Sequence, residues 1–437
     1  MKPWKIRSLA SGSIRASAAL AFSLKGASIL LSLVVGVVLA RLLGAEEFGI
    51  YAFALSVATL LSIFSQFGLP NFLTREIAKE EQRGNWRAIQ EIWRWSNQVA
   101  LAFSAIGVVL SGIALAVFWG KLPTGQNLAL VLGLVLVPVL VLSAIRSAAL
   151  RGLRKVLASV YPESLLRPVL MTSLLVGAYF LLDRDLRGAE AVALNLVSAA
   201  IILALLSLLL RNSWPSGKHS SELNGVADRS AWLASARSMA LVAAIGQIIK
   251  QTDVLMLGLL VAPTEVGLYR VALQGAALIE LGQVAAFWVV GPYFARLHAK
   301  ADTAALQKLA RMNAMAVFAL AALTYLVFVL FGRQIVVTIM GSEFAGAENY
   351  ILILGLGQLA NAFFASVSFF LSMTGHEKLV SRVLFFVMLF NIALNLGLIP
   401  LFGPMGAAAA TAISMAIQNI ILYRLARRVT GIRTAPW

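Results

Sequence analysis

Apolar residues along this chain come in long, nearly unbroken runs, and charged residues gather in the short stretches between them. A helix needs ~20 apolar residues to cross a bilayer's hydrocarbon core. Twelve stretches approach or exceed that length: 20–43, 49–69, 98–119, 128–150, 168–182, 189–210, 238–261, 267–293, 313–332, 350–373, 381–401 and 405–426. The stretch 168–182 is short and needs flanking residues or a thinned bilayer. In lipid a single chain segment satisfies its own backbone only as a helix. The pattern therefore predicts an all-α membrane protein with twelve transmembrane helices. The first run leads straight into a hairpin and lacks a small-residue cleavage site, so it reads as a span and not as a removable signal peptide.

Composition agrees with the pattern. Hydrophobic residues make up 60% of the 437 and charged residues only 13%, about half the charge of a soluble domain. This excludes disorder and an ordinary soluble enzyme. The net charge of +17 raises the question of nucleic acid, and the placement of Lys and Arg answers it. With the N-terminus in the cytoplasm, the large majority of the 36 fall on the cytoplasmic side, among them Arg15, Arg75, Lys79, Arg151, Lys155, Arg167, Arg211, Arg237, Arg296, Lys378 and Arg424. The other side receives six: Arg41, Lys121, Arg184, Arg187, Arg270 and Arg333. This bias orients the protein with both termini cytoplasmic. It accounts for the charge with no nucleic-acid partner and leaves anionic lipid as a natural contact. There is no cysteine, which excludes disulfides and thiolate chemistry. His219, His298 and His376 lie apart in inner loops. No P-loop or other cofactor motif is present, so no cofactor is expected.

Two inner connections are long. In Asn71–Asn97, Trp86, Ile89 and Trp93 stand at helical spacing among charges, which predicts an interfacial amphipathic helix. The stretch 211–237 is rich in Ser, Gly and Asn and reads as a linker. The linker separates two related halves. A shift of 218 places Glu47-Phe48-Gly49-Ile50-Tyr51 on Glu265-Val266-Gly267-Leu268-Tyr269, and Gly188-Ala189 on Gly406-Ala407. Six spans per half is an even number, so the repeats run parallel, a plan that places a substrate site between halves. The expected domains are 1–210 and 238–437, each a six-helix bundle, joined by 211–237. In the repeated E-x-G-x-Y motif, Gly is expected to make a tight reversal, Tyr to anchor at the headgroups, and Glu to stay in water.

The residues that carry this repeat also carry a resemblance. Ala40-Arg41-Leu42-Leu43-Gly44, followed by Phe48-Gly49-Ile50-Tyr51, resembles the opening of the polysaccharide biosynthesis exporters. Phe67-Gly68-Leu69 with Thr74-Arg75-Glu76-Ile77 resembles their next element, and Gln251-Thr252-Asp253-Val254-Leu255-Met256-Leu257-Gly258 the start of their second half. That family includes the Wzx O-antigen flippases and sits with the multidrug-and-toxin extrusion (MATE) superfamily. The resemblance implies a MATE-like V of two bundles in the cell membrane. It implies transport of a lipid-linked oligosaccharide on undecaprenyl pyrophosphate, from inner to outer leaflet, by alternating access. It also implies a polysaccharide polymerase and a chain-length regulator as partners, and no catalytic chemistry. An ion-coupled drug or cation antiporter of the same fold is the alternative.

Charge within a span is expensive and usually faces a cavity, at ~2.5–3.5 kcal/mol per residue on insertion scales. Gln247, Lys250 and Gln251 share one face of their span, with Asp253 beside them. They are candidates to line the cavity, with Lys250 meeting pyrophosphate; a Lys250–Asp253 ion pair is the structural alternative. Arg270 stands near the outer mouth. Glu280 lies near mid-span and either pairs with Lys250 or titrates, so that H+ or Na+ couples to transport. Lys25 and Arg15 complete the candidates at the inner end of the first span. The intramembrane amides Asn195, Asn391 and Asn395 are expected to bond between helices.

Overall fold

The protein is described here by a computed structural model covering residues 3–117, 119, 125–214, 229–365 and 367–436, with side chains from residue 26 onward apart from those of 242, 285, 287 and 288. The side chains of Arg15 and Lys25, residue Lys121, His219 and most of the expected linker lie outside the described residues. The elements are α1 (Pro3–Gln66), α2 (Leu69–Gln82), α3 (Trp86–Val117), α4 (Gln126–Gly152), α5 (Val156–Tyr161), a π turn (Pro162–Leu166), α6 (Arg167–Leu182), α7 (Gly188–Ser213), α8 (Arg229–Leu260), α9 (Pro263–Ala299), α10 (Thr303–Met340), a 3-10 turn (Ser342–Phe344), α11 (Ala347–Phe363), α12 (Val367–Met373) and α13 (Glu377–Thr430).

The architecture is all-helical among the described residues. Nine stretches there are long and apolar enough to span a membrane, or ten with the bent pair Pro263–Val284 and Val289–Ala299. Two of the nine are longer than any bilayer needs. α1 breaks helical geometry at Gly44 (φ 71°) and α13 at Gly403 (φ 56°). A positive φ suits glycine, which has no Cβ to clash, so each break is a sharp reversal written into one residue. After Gly44 the free amide of Ala45 donates to Glu343 Oε2 at 2.9 Å. The restarted helix thereby gains an acidic cap at its positive end.

The chain divides into two compact units, residues 1–42 with 57–244, and residues 43–56 with 245–437. In the first unit α4 packs on α2, α3 and α7, and α6 packs on α7. In the second, α9, α10 and α11 pack on one another and α13 lies on α11 and α12. Residues 43–56 belong to the second unit although they sit in the first half of the sequence.

Four expectations need correction. Trp86, Ile89 and Trp93 do not form a separate interfacial helix: they open α3, with Ile89 fully buried. The extra helix of that region is α2, set off by a left-handed Phe67-Gly68 break. Residues 229–237 belong to α8 and not to a linker. Arg167 is not an inner-loop cation. The helical path Val156–Leu182 runs on through it, and the residue stands ~16 Å along that path. Fourth, Gly49 and Gly267 make no reversal. Both are helical, and they touch: a Cβ on Gly49 would lie 1.7 Å from the carbonyl oxygen of Pro263, and one on Gly267 would lie 2.1 Å from that of Ala45. With the same shift of 218, these two contacts exchange into each other.

Candidate functional site

Within the second unit, α8 carries the polar face singled out by sequence. Gln247 and Gln251 are half-buried, Lys250 is exposed, and Asp253 is buried. Lys250 lies ~15 Å from the α8 end at Leu260, deep in the apolar helix. Among the described residues it forms no ion pair. Glu280 of α9 is half-buried, and no ion pair joins it to Lys250 among the described residues. Arg270 is half-buried on α9.

Asp253 does not pair with Lys250. Its Oδ2 accepts from Tyr269 Oη and from Thr411 Oγ1, each at 2.6 Å, and its Oδ1 accepts from Asn395 Nδ2 at 3.0 Å. Asn395 Nδ2 also donates to the Asn391 carbonyl at 3.0 Å, and Asn391 Nδ2 donates to Ser414 at 3.3 Å. Asp253, Tyr269, Asn391 and Asn395 are each less than 5% exposed. A buried carboxylate needs partners, and here α9 and the two arms of α13 on either side of Gly403 supply neutral ones. The side-chain oxygen of Asn395 has no hydrogen-bond partner among the described residues. One carboxylate, two hydroxyls and an idle amide oxygen suit a proton or a hard monovalent cation. No group of three His, Cys, Asp or Glu residues stands together among the described residues. The repeated tyrosine is therefore a buried donor and not a headgroup anchor, and the repeated glutamate Glu265 accepts from Tyr350 Oη at 2.8 Å.

Sequence reasoning missed a second polar group, in the first unit. Arg167 donates to Asn195 Oδ1 at 3.0 Å and pairs with Glu163 at 3.3 Å. Glu163 sits in the π turn, a widened turn often found at functional positions. The signal was present: 168–182 is too short to span, so the helix had to begin earlier and take Arg167 inside.

The comparisons with known proteins bear on what this architecture is. A flippase of Haloferax volcanii, named as the probable low-salt glycan biosynthesis flippase Agl15, is 22% identical over 386 residues, 87% of this chain and 77% of that protein. The inward-facing structure of a multidrug resistance MATE family transporter of the MOP superfamily superposes with a TM-score of 0.73 at 12% identity, covering 92% of this chain and 94% of the other. The lipid II flippase MurJ, in its inward closed conformation, superposes with a TM-score of 0.74 at 13% identity, covering 93% and 87%. The two superpositions show the fold alone, an all-helical one whose apolar helices are those of a multi-pass membrane protein. The family model described as polysaccharide biosynthesis protein matches residues 14–298, more than half of the sequence, and the chain belongs to that family.

Proposed function

We propose that this protein flips a lipid-linked oligosaccharide, built on undecaprenyl pyrophosphate, from the inner to the outer leaflet of the cytoplasmic membrane. Twelve spans are supported by counting, among the described residues, the helices on either side of Gly44 and Gly403 separately and the bent pair as one. The Lys and Arg bias then places both termini in the cytoplasm. Lys250 carries the reading: an exposed, unpaired lysine deep in an apolar helix is costly against lipid. It is accounted for if it faces a hydrophilic path that an anionic headgroup crosses. Gln247 and Gln251 extend that face and Arg270 adds a cation from α9; Arg15 and Lys25 are kept as candidates on their place in the sequence, their side chains lying outside the described residues. The polyprenyl tail stays in lipid while pyrophosphate and glycan cross by alternating access. Membrane potential favours outward movement of each negative charge by ~2.3 kcal/mol per 100 mV.

Coupling to H+ or Na+ is assigned to Asp253, with Tyr269, Thr411 and Asn395 as the remaining oxygen donors; Glu280 is the alternative titrating group. Asp253 thus has a role apart from substrate contact.

The experiment uses inverted vesicles bearing lipid-linked oligosaccharide on the cytoplasmic leaflet, with an impermeant glycosidase reporting arrival on the other. Protein-dependent arrival, reduced at least tenfold in Lys250→Ala, is the expected result. Arrival unchanged in Lys250→Ala removes the cationic path. Protein-independent arrival with every glycan tested removes the flippase reading and favours an ion-coupled cation antiporter.

A further inference from the structure

In the first unit, a cavity of about 350 Å³ is lined by Trp93, Arg146, Ser207, Leu210, Arg211 and Trp214. It shares no residue with the α8 face and is used by nothing proposed above. Its depth is set by the helices that form it. Arg146 is ~9 Å from the α4 end at Gly152, Ser207 ~9 Å from the α7 end at Ser213, and Trp93 ~10 Å from the α3 start at Trp86. All three therefore stand near the same membrane surface, the one that the Lys and Arg bias makes cytoplasmic.

The guanidinium of Arg146 is held and aimed. Its Nε donates to Ser207 Oγ at 2.6 Å and its Nη1 to the Leu142 carbonyl at 3.1 Å. Its plane lies 5.9 Å from the centre of the Trp93 ring, and Trp93 stands 6.1 Å from Trp214. Nη2 has no bond to a described residue, and no described carboxylate is within ion-pair distance of Arg146 or Arg211. Two cations without a counter-ion thus share a cavity with two indoles. Tryptophan pairs prefer the headgroup level, and guanidinium forks match phosphate oxygens.

We propose that this cavity binds the phosphate headgroup of an anionic phospholipid from the cytoplasmic leaflet. The phosphate meets Arg146 Nη2 and the Arg211 guanidinium, and the indoles cover the glycerol and upper acyl carbons. The volume is at the low end for a ligand pocket. It suits a small headgroup and not an oligosaccharide, so the site belongs to a bilayer lipid and not to the transported glycan. The pyrophosphate of a polyprenyl carrier shares the same chemistry and is the source to be distinguished.

The test is native mass spectrometry of the full chain in a neutral detergent, titrated separately with phosphatidylglycerol, phosphatidylcholine and farnesyl pyrophosphate. One saturable phosphatidylglycerol adduct is expected, weakened about tenfold in Arg146→Gln and in Arg211→Gln, as for loss of one charge-assisted contact. Arg87→Gln, on the exposed surface of α3 beside Glu91, should bind like the wild type. Displacement of that adduct by farnesyl pyrophosphate at equal or lower concentration would assign the site to the carrier and overturn the phospholipid assignment. Equal binding of phosphatidylcholine, or unchanged binding in both arginine variants, would overturn the site altogether. Arg211 is exposed, so Arg211→Gln folds and keeps the test decisive if Arg146→Gln does not.

Discussion

Arg167 donates to Asn195 at 3.0 Å, bridging α6 and α7 deep within the apolar part of the first unit. Glu163 completes the group from the preceding turn at 3.3 Å. Asn195 is buried, and the Arg167 and Glu163 side chains keep 22% and 31% of their surface. Removing one member leaves the others short of a partner.

Arg167→Ala should therefore lower stability by about 1–2 kcal/mol, discounted from a fully buried pair because solvent still reaches it. A double-mutant cycle with Asn195→Ala, read by thermal melting in detergent, should return a coupling of about 1 kcal/mol. Additive single effects would show that the hydrogen bond contributes nothing.

The Asp253 cluster predicts a cation-dependent stability. If Asp253, Tyr269, Thr411 and Asn395 hold Na+, raising NaCl at constant ionic strength should raise the melting temperature of the wild type. Ten dissociation constants of free ion correspond to about 1.4 kcal/mol. Asp253→Ala should lose the response, whereas Glu280→Gln should keep it. A wild type indifferent to Na+ leaves the proton as the coupling ion.

How much of this was legible in the sequence differs between the two polar groups. Gln247, Lys250, Gln251 and Asp253 are close in sequence, and helical spacing alone put them together. The partners of Asp253 are 142 and 158 residues away for Asn395 and Thr411, and no local pattern connects them. Tyr269 misled for a related reason. A tyrosine near a helix end is ambiguous between headgroup and core until its hydroxyl has an acceptor, and the acceptor stands one helix earlier. Arg167 was hidden because Glu163 and Arg167 interrupt an apolar run and imitate a loop. The run lengths still gave most spans, because covering the backbone in lipid leaves few alternatives to a helix.

The close approach of Gly49 to Pro263 forbids a side chain. Gly49→Ala and Gly267→Ala should each cost about 1–3 kcal/mol, since backbone must shift to admit the methyl group. Gly246→Ala, where nothing lies within 4 Å, should be neutral or stabilising by about 0.5–1 kcal/mol. Melting temperatures of the three variants check the contrast, and equal shifts would contradict it.

The chain's last turn is tied back to α10. Gln307 accepts from the Arg433 amide and donates to the Arg433 carbonyl, both at 2.8 Å, and Arg311 donates to the Pro436 carbonyl at 2.8 Å. Gln307→Ala should free this segment at a cost of about 1–2 kcal/mol. Faster amide hydrogen exchange at residues 431–435, with the α10 core unchanged, is the expected readout.

The contact between Gly49 and Gly267 has a historical consequence. Two equivalent positions that touch each other, through contacts that interchange under the repeat, have the form of an isologous interface. A subunit surface that once met its own copy would look like this after two genes became one. In a dimer, any change at that glycine would act twice at the same point and be penalised twice. In this single chain the two positions mutate independently, yet each bears on the backbone beside the other. A residue larger than glycine can enter one side only if the opposing helix moves aside.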